Sequence, residues 1–395
     1  MPVFFSIGFR PFFASGTLFA AIALMLWGLF WQSGSSILTP VGGMLFWHPH
    51  ELLMGFAQAI IIGFLLTAVR NWTGLETANP ATLCLLFASW WGARCIMAFG
   101  AGLPLPVIVI SQLITPFLAA LCIGVPIIQK RMWRNLFAPV LLLLMALLDG
   151  VMLIHIETKQ TLPNDLFNIG ILGIVLLMTV IGGRIIPLFT ANRLKTIKPV
   201  ESRPALLFCV LPIILLIVGL SGESLTTQPG QGGDTQPGIA SWPAQCLLGI
   251  VCIAHAYRLF RWHTPGIWRH PMLWSLFVFY AGIPAGFALL ALNPYLQLGS
   301  VPWHMLTVGA MSGLIISMVT RVSLGHTGRV IVHDHIILTA FFCLLASALM
   351  RTLGVALFSL HPHLILGSAV LASISMALIF LRFTLIWLRP RPDAA

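Results

Sequence analysis

Long apolar runs separated by short polar segments dominate the hydrophobic pattern of the chain. A helix needs about 20 apolar residues to cross the hydrocarbon core of a bilayer, whereas membrane-spanning strands show shorter alternating segments. The pattern predicts an all-α polytopic membrane bundle of about 12 transmembrane helices, forming a single transmembrane domain over residues 1–395. The twelve runs are residues 15–31, 50–69, 80–98, 104–128, 135–156, 165–190, 204–220, 242–261, 271–292, 298–319, 335–358 and 363–388.

Composition and charge agree with a membrane protein and exclude soluble classes. Apolar residues make up 58% of the chain and charged residues only 8%, against about 25% charged residues in soluble domains. The net charge of +11 does not indicate a nucleic-acid partner, because Lys and Arg are scattered in short connections. Most of them follow the even-numbered runs, so the positive-inside rule predicts both termini in the cytoplasm. The Gly/Gln/Pro-rich segment 221–241 is predicted to be a flexible periplasmic loop.

The sharpest polar motif is Trp47-His48-Pro49-His50-Glu51, at the start of the second run. Ionisable groups at membrane depth are costly, and they are therefore functional candidates by default. Pro49 disfavours helical geometry at His48, so we expect His48 in an extended segment and His50 in the first helical turn. Both imidazoles can then face one centre, and Glu51 can orient one of them.

Histidines in two other runs are predicted at the same depth as this motif. His155 lies beside Asp149 in the fifth run, and His304 lies near the start of the tenth. Methionines occur one turn or one heptad from these histidines, and imidazole with thioether suits haem iron or copper. The alternative is that these histidines are solvated or hydrogen-bonded and that the methionines only pack. The predicted metal ligands are His48, His50, His155 and His304.

A second polar layer is predicted at the opposite ends of the helices, in the segments 8–13, 183–192 and 321–329. An arginine fork binds carboxylates or phosphates bidentately. This layer can therefore hold haem propionates, with His326 as a candidate axial ligand. Alternatively, the arginines set topology and hydrogen-bond helix C-termini and lipid headgroups. The arginines concerned are Arg10, Arg184 and Arg329.

Together the motifs resemble the NnrS family over residues 8–329. The matching segments are GFRPFF, WHPHELLMGF, GRIIPLFTAN and HMLTVGAMSGLIISMVTRVSLGHTGR. The resemblance implies a bacterial inner-membrane protein that contains b-type haem and copper and acts in the nitric-oxide response and nitrosative stress tolerance. It places His48, His50, His155, His304 and His326 on family histidines. It also places Arg10, Arg184 and Arg329 on family arginines.

One position departs from the family pattern. Phe277 stands where family members often have a histidine, and a phenylalanine cannot ligate a metal. Twelve helices with histidines near one face are also analogous to the main subunit of haem–copper oxidases. That analogy concerns architecture alone, because position 306 is Leu306 and the His-x-His of that family is absent. Proton-pumping oxygen reduction is therefore not predicted.

The residues and the resemblance lead to one functional hypothesis and one alternative. The hypothesis is a haem- and copper-binding inner-membrane protein that binds nitric oxide or a related small molecule, or performs redox chemistry, at a histidine-ligated site. The alternative is a membrane transporter of a metal ion or small anion, which predicts broken helices. Pro and Gly at 182–187 and 282–286 keep that alternative open. Membrane lipids are the other predicted partners, and no catalytic residue is predicted.

Overall fold

A computed structural model describes residues 3–159, 161–162, 164–199, 202–226, 240–330, 334–358 and 361–392, and all regular secondary structure in these ranges is helical. Among the described residues, twelve helices are long and apolar enough to cross a membrane, which confirms the predicted fold class. They are α1 (Phe9–Ser33), α2 (Gly43–Thr73), α3 (Pro80–Phe99), α4 (Leu105–Gln129), α5 (Phe137–Lys159), α6 (Asn164–Leu194), α7 (Arg203–Thr226), α8 (Trp242–Trp262), α9 (Pro271–Leu296), α10 (Val301–His326), α11 (His335–Leu357) and α12 (Pro362–Leu388).

Several helices extend beyond the apolar runs that predict them. Helix α2 starts seven residues before the run that begins at residue 50, and α7 continues to Thr226. The start of the predicted loop 221–241 is therefore helical, and its residues 227–239 lie outside the described residues. The extensions follow from helix physics, because a helix continues beyond the hydrocarbon core as long as its backbone stays hydrogen-bonded.

The chain divides into two compact units. The first comprises Met1–Pro163, Val319–Val332 and Ala372–Ala395. Within it, α4 packs on α5, the second half of α2 packs on α1 and α4, and α3 packs on α4. The Ser373 hydroxyl donates to the Ala21 carbonyl at 2.7 Å. The first unit therefore contains the predicted histidine motif together with helices α3 and α5.

The second unit comprises Asn164–Met318 and His333–Leu371. Its helices pack in sequence order from α6 to α9, and α9 also packs closely on α10. A Cβ atom on Gly282 would lie 2.8 Å from the backbone of Gly309. Only a residue without a side chain permits this approach, so glycine sets the separation of α9 and α10.

Three helices of the described ranges contain π-helical segments, which are Glu51–Ala57 in α2, Met305–Ser312 in α10 and Met350–Gly354 in α11. Such segments are rare and often occur at functional sites. The first two begin directly after His50 and His304. In contrast, residues 182–187 and 282–286 lie inside continuous α-helix. The broken helices that the transporter alternative predicts are not observed at these two places.

Candidate functional site

The backbone of α2 places the histidine motif inside a continuous helix. The helix starts at Gly43, after Gly42 with φ of 69°, and runs through Pro49 into the π-helical segment. Proline lacks an amide hydrogen and its ring clashes with the preceding turn, so the regular hydrogen-bond ladder is disturbed just where the π segment begins. The prediction of an extended His48 is wrong. The preference imposed by Pro49 is outweighed because helical turns form on both sides of it.

His50 is held between two carboxylates in the interior of the first unit. Its Nδ1 lies 2.9 Å from Glu51 Oε1, and its Nε2 lies 2.7 Å from Asp149 Oδ1 on α5. All three side chains are almost completely buried. A neutral imidazole has one donor nitrogen and an imidazolium has two, so contact with two carboxylates matches an imidazolium. His50 therefore joins α2 to α5 across 99 positions of sequence.

Arg94 on α3 completes the charged group. Its Nη1 donates to Glu51 Oε1 at 2.5 Å, and its Nη2 donates to the amide oxygen of Gln112 on α4. Arg94 is 4% exposed. A Cβ atom on Gly55 would lie 2.8 Å from Arg94 Nη1, so a glycine at that position leaves room for the guanidinium. The π-helical segment and the arginine thus fit together.

The charges of this group balance in a medium that penalises isolated ions. We call Glu51, His50, Asp149, Arg94 and Gln112 the α2 cluster. Two carboxylates face one guanidinium and one imidazolium, so the cluster has no net charge. Buried ions are tolerated when they are paired and hydrogen-bonded. One acceptor, Glu51 Oε2, is buried without a hydrogen-bond partner among the described residues.

The other predicted ligands have partners of their own. The His48 ring stacks on Trp27 of α1, with centroids 4.1 Å apart and an interplanar angle of 6°. His155 Nε2 lies 3.1 Å from the Thr161 hydroxyl, near the exposed end of α5. The structure does not bring His48, His50 and His155 to one point. Within the described ranges, no group of three or more His, Cys, Asp or Glu side chains is arranged to hold a metal ion.

His304 lies in the second unit, at the first turn of α10. Its Nδ1 contacts the Ser300 carbonyl oxygen at 2.8 Å. The π-helical segment that follows it parallels the one that follows His50, and each has a glycine five residues after the histidine, Gly309 and Gly55. The roles of the four histidines as metal ligands stay predictions.

The predicted arginine layer has a clear structural role at one position. Arg10 Nη1 donates to the carbonyl oxygens of Trp387 and Arg389 at 2.7 and 2.8 Å. These carbonyls end α12, where a helix lacks internal donors. For Arg10, the structure therefore favours the alternative in which the arginine hydrogen-bonds a helix C-terminus.

The remaining residues of that layer are less enclosed. His326 ends α10, with its ring 5.9 Å from that of Phe9 and its Nε2 3.5 Å from the Asn71 amide nitrogen. Arg329 Nη1 donates to the Thr327 carbonyl at 3.3 Å, after a turn at Gly328. Arg184, in the second unit, is exposed on α6. Their predicted contact with haem stays a prediction.

Sequence reasoning missed a second buried polar group, in the second unit. His255 Nδ1 and Arg258 Nη1, both on α8, lie 2.8 and 2.9 Å from the Tyr280 hydroxyl on α9. Arg258 Nη1 also donates to the Thr179 carbonyl, and its guanidinium lies 4.8 Å from the centre of the Trp262 ring. We call these five residues the α8 cluster. The sequence contained a signal for this cluster, because His255 and Arg258 are ionisable and lie three residues apart in an apolar helix.

Arg94 and Gln112 of the α2 cluster were also missed as site residues. Arg94 lies inside the apolar run 80–98, so its membrane depth was a signal that it could be a site residue. Phe277, the departure from the family pattern, is buried on α9, one turn before Tyr280.

Fold and site define the class of this protein as a multi-pass helical membrane protein with ionised side chains buried among its helices. Residues 3–391, nearly the whole chain, match the family model described as NnrS protein. The chain therefore belongs to the NnrS family, as its motifs predicted. No curated protein matches the chain.

Proposed function

We propose that this protein contains copper and haem and that it binds or converts nitric oxide at the bacterial inner membrane. Family membership relates the chain to the nitric-oxide response, and its twelve spans make it a multi-pass membrane protein. The Lys and Arg content of the connections supports both termini on the cytoplasmic side. The observation that carries the proposal is the orientation of His50 within the α2 cluster.

Metal-ligating histidines almost always use one ring nitrogen for the metal and bind a carboxylate or carbonyl oxygen through the other. His50 has this arrangement, because Nδ1 is fixed by Glu51 and Glu51 is fixed by Arg94. Nε2 is then the coordinating atom, and the Asp149 oxygen beside it is a second donor. Nitrogen with carboxylate oxygen is a donor set that suits Cu(II). His50 and Asp149 would hold the ion, and copper would supply a coordination position for nitric oxide.

His50 Nε2 would have to lose a proton in order to hold a metal ion. Donation from Nε2 to Asp149 needs a proton on Nε2, whereas a metal needs the nitrogen lone pair. If Nε2 held copper, its proton would be lost to solvent, while Glu51 and Arg94 would keep the ring in place. This chemistry uses residues already in contact, and it needs neither His48 nor His155 as ligands.

Haem is proposed at the other end of the helices, with His326 as its axial ligand. The 3.5 Å contact of Nε2 with Asn71 is too long for a strong hydrogen bond, which leaves this nitrogen able to coordinate iron. Arg329 lies three residues further along the chain and can neutralise a propionate. Arg10 contributes by fixing the end of α12 in the same unit.

Metal analysis and optical spectroscopy of the detergent-purified protein, expressed with copper and haem supplied, test the proposal. We expect copper and a Soret band in the wild type, and loss of copper in His50→Ala and His50→Gln. His361→Ala, which removes an exposed histidine, should retain both. Copper loading of the metal-free wild type should also release protons, as measured with a pH indicator. Full copper content in both folded His50 variants would refute the site, and a wild type without either metal group would refute the function.

Haem has its own readout in the same experiment. His326→Ala should lose or shift the Soret band while copper content stays unchanged, because the two histidines lie at opposite ends of their helices. The sequence hypothesis instead expects His50→Ala or His304→Ala to change the haem spectrum. A Soret band that changes only in those two variants would refute His326 as the haem ligand.

A further inference from the structure

A buried arginine in the second unit has an unused hydrogen-bond donor. Arg351 lies in the π-helical segment Met350–Gly354 of α11 and is only 9% exposed. Its Nη1 has no hydrogen-bond partner among the described residues. Its Nη2 has one long contact, 3.4 Å to the Ser300 hydroxyl. A charged donor left unsatisfied in the interior costs more than a neutral one, so this arrangement calls for an acceptor.

No carboxylate of the described residues provides that acceptor. The ion pairs found there all belong to the α2 cluster, and none includes Arg351. An arginine stays protonated in proteins, so Arg351 cannot avoid the cost by losing its charge. Within the described residues no negative charge is left for Arg351, so a bound anion is the source of charge that we consider.

The surroundings of Arg351 favour an anion as well. Ser300 is the N-terminal capping residue of α10, and its hydroxyl is the group that Arg351 Nη2 approaches. The start of a helix has positive electrostatic potential, which favours an anion. Here the Val301 amide already donates to the Leu298 carbonyl and Pro302 has no amide hydrogen, so the donors for an anion are the side chains of Arg351 and Ser300. His304 Nδ1 contacts the Ser300 carbonyl oxygen, whereas Arg351 Nη2 approaches the Ser300 hydroxyl. Guanidinium, hydroxyl and helix start therefore occur together.

We propose that Arg351 and Ser300 bind an oxyanion at the start of α10. The fork of the guanidinium favours a group with two coplanar oxygens, such as a small inorganic oxyanion or the phosphate of a lipid headgroup. The oxyanion accepts from Arg351 Nη1 and from the Ser300 hydroxyl. This proposal does not depend on copper or haem, and it can hold if the proposed function fails.

Binding to the whole chain distinguishes the two sources of oxyanion. In one arm, sodium nitrate is titrated into metal-free protein in phospholipid-free detergent, and affinity is read from calorimetry and from the rise in melting temperature. In the other arm, the melting temperature of the protein in nanodiscs of phosphatidylcholine is compared with its melting temperature in nanodiscs that contain phosphatidylglycerol. We expect saturable binding in at least one arm, since a ligand that binds only the folded state stabilises it.

Substitutions locate the binding. Arg351→Gln should weaken binding about tenfold or more, and Arg351→Lys should weaken it less because it keeps the charge and loses the fork. Ser300→Ala is a milder change at an exposed position and should also reduce affinity. Arg269→Gln removes an exposed arginine of the second unit and should have no effect. The proposal is overturned if neither nitrate nor phosphatidylglycerol binds the wild type, or if folded Arg351 variants bind with unchanged affinity.

Discussion

The two buried clusters stabilise the same pair of residue types in different ways. Each has a histidine and an arginine with almost no exposure inside membrane-spanning helices. In the α2 cluster, the partners of His50 and Arg94 include two carboxylates. In the α8 cluster, the contacts of Arg258 with Tyr280, Thr179 and Trp262 are all with uncharged groups.

This difference indicates what each cluster can do. A carboxylate and a cation that form a pair have no net charge. Each ion then depends on its partner, and removal of one leaves the other uncompensated. Hydroxyl, carbonyl and ring contacts stabilise a cation less strongly, and each of them can be lost separately. The α2 cluster should therefore be more sensitive than the α8 cluster to the loss of one charged partner.

The largest effect is expected from removing the arginine of the α2 cluster. Arg94→Met leaves two buried carboxylates, Glu51 and Asp149, with the His50 imidazolium as the one cation of the α2 cluster, and it should lower the free energy of unfolding by about 3–5 kcal/mol. Denaturant unfolding in detergent measures this change. The double variant Arg94→Met/Glu51→Gln is the matched control and should recover most of the loss. A single variant as stable as the wild type would contradict the pairing.

A smaller effect is expected where the charge is removed but the shape is kept. Asp149→Asn weakens the contact with His50 Nε2 and should cost about 1.5–3 kcal/mol, the range for a hydrogen bond to a charged group. The matched control is Asp165→Asn, at a half-exposed position in the first turn of α6. Equal losses in the two variants would show that the position of Asp149 beside His50 has no special role.

The α8 cluster should tolerate a comparable change better. Tyr280→Phe removes the hydroxyl that contacts His255 and Arg258, but Arg258 keeps the Thr179 carbonyl, so we expect a loss of about 1–2 kcal/mol. Tyr257→Phe, on the exposed side of α8, should change the unfolding free energy little. If Tyr280→Phe costs as much as Arg94→Met, the distinction between the clusters is wrong.

The smallest effect tests whether charge or location sets these costs. Ser89 and Thr115 share a neutral hydrogen bond of 2.9 Å between α3 and α4, in the same unit as the α2 cluster. Ser89→Ala should cost about 0.5–1 kcal/mol, as measured by the same unfolding assay. A loss near that of Asp149→Asn would mean that the first unit is sensitive to any polar substitution.

Much of the architecture was predictable because helix formation in a membrane is a local property. A run of about 20 apolar residues must satisfy its own backbone hydrogen bonds, and only a helix does so within one segment. The twelve runs therefore gave the number and order of the helices. Pro187 and Pro284 do not break their helices, and the local rule at Pro49 failed for the same reason. In each case the surrounding turns outweigh one residue's preference.

Family membership could also be inferred from the sequence alone, because the sequence contains the motifs. The choice of His50 as a candidate followed in the same way from its motif and its membrane depth. The partners of His50 and Arg94 could not be inferred. Membrane depth follows from position along a helix, but lateral neighbours depend on how helices pack. Only the tertiary structure decided that His50 meets Asp149 of α5 and that Arg94 meets Glu51 of α2. It also decided that Arg351 has a donor with no partner in the part of the chain that the structure describes. The physical reason is that apolar runs specify helices one at a time, whereas each polar contact needs two side chains from distant helices to meet.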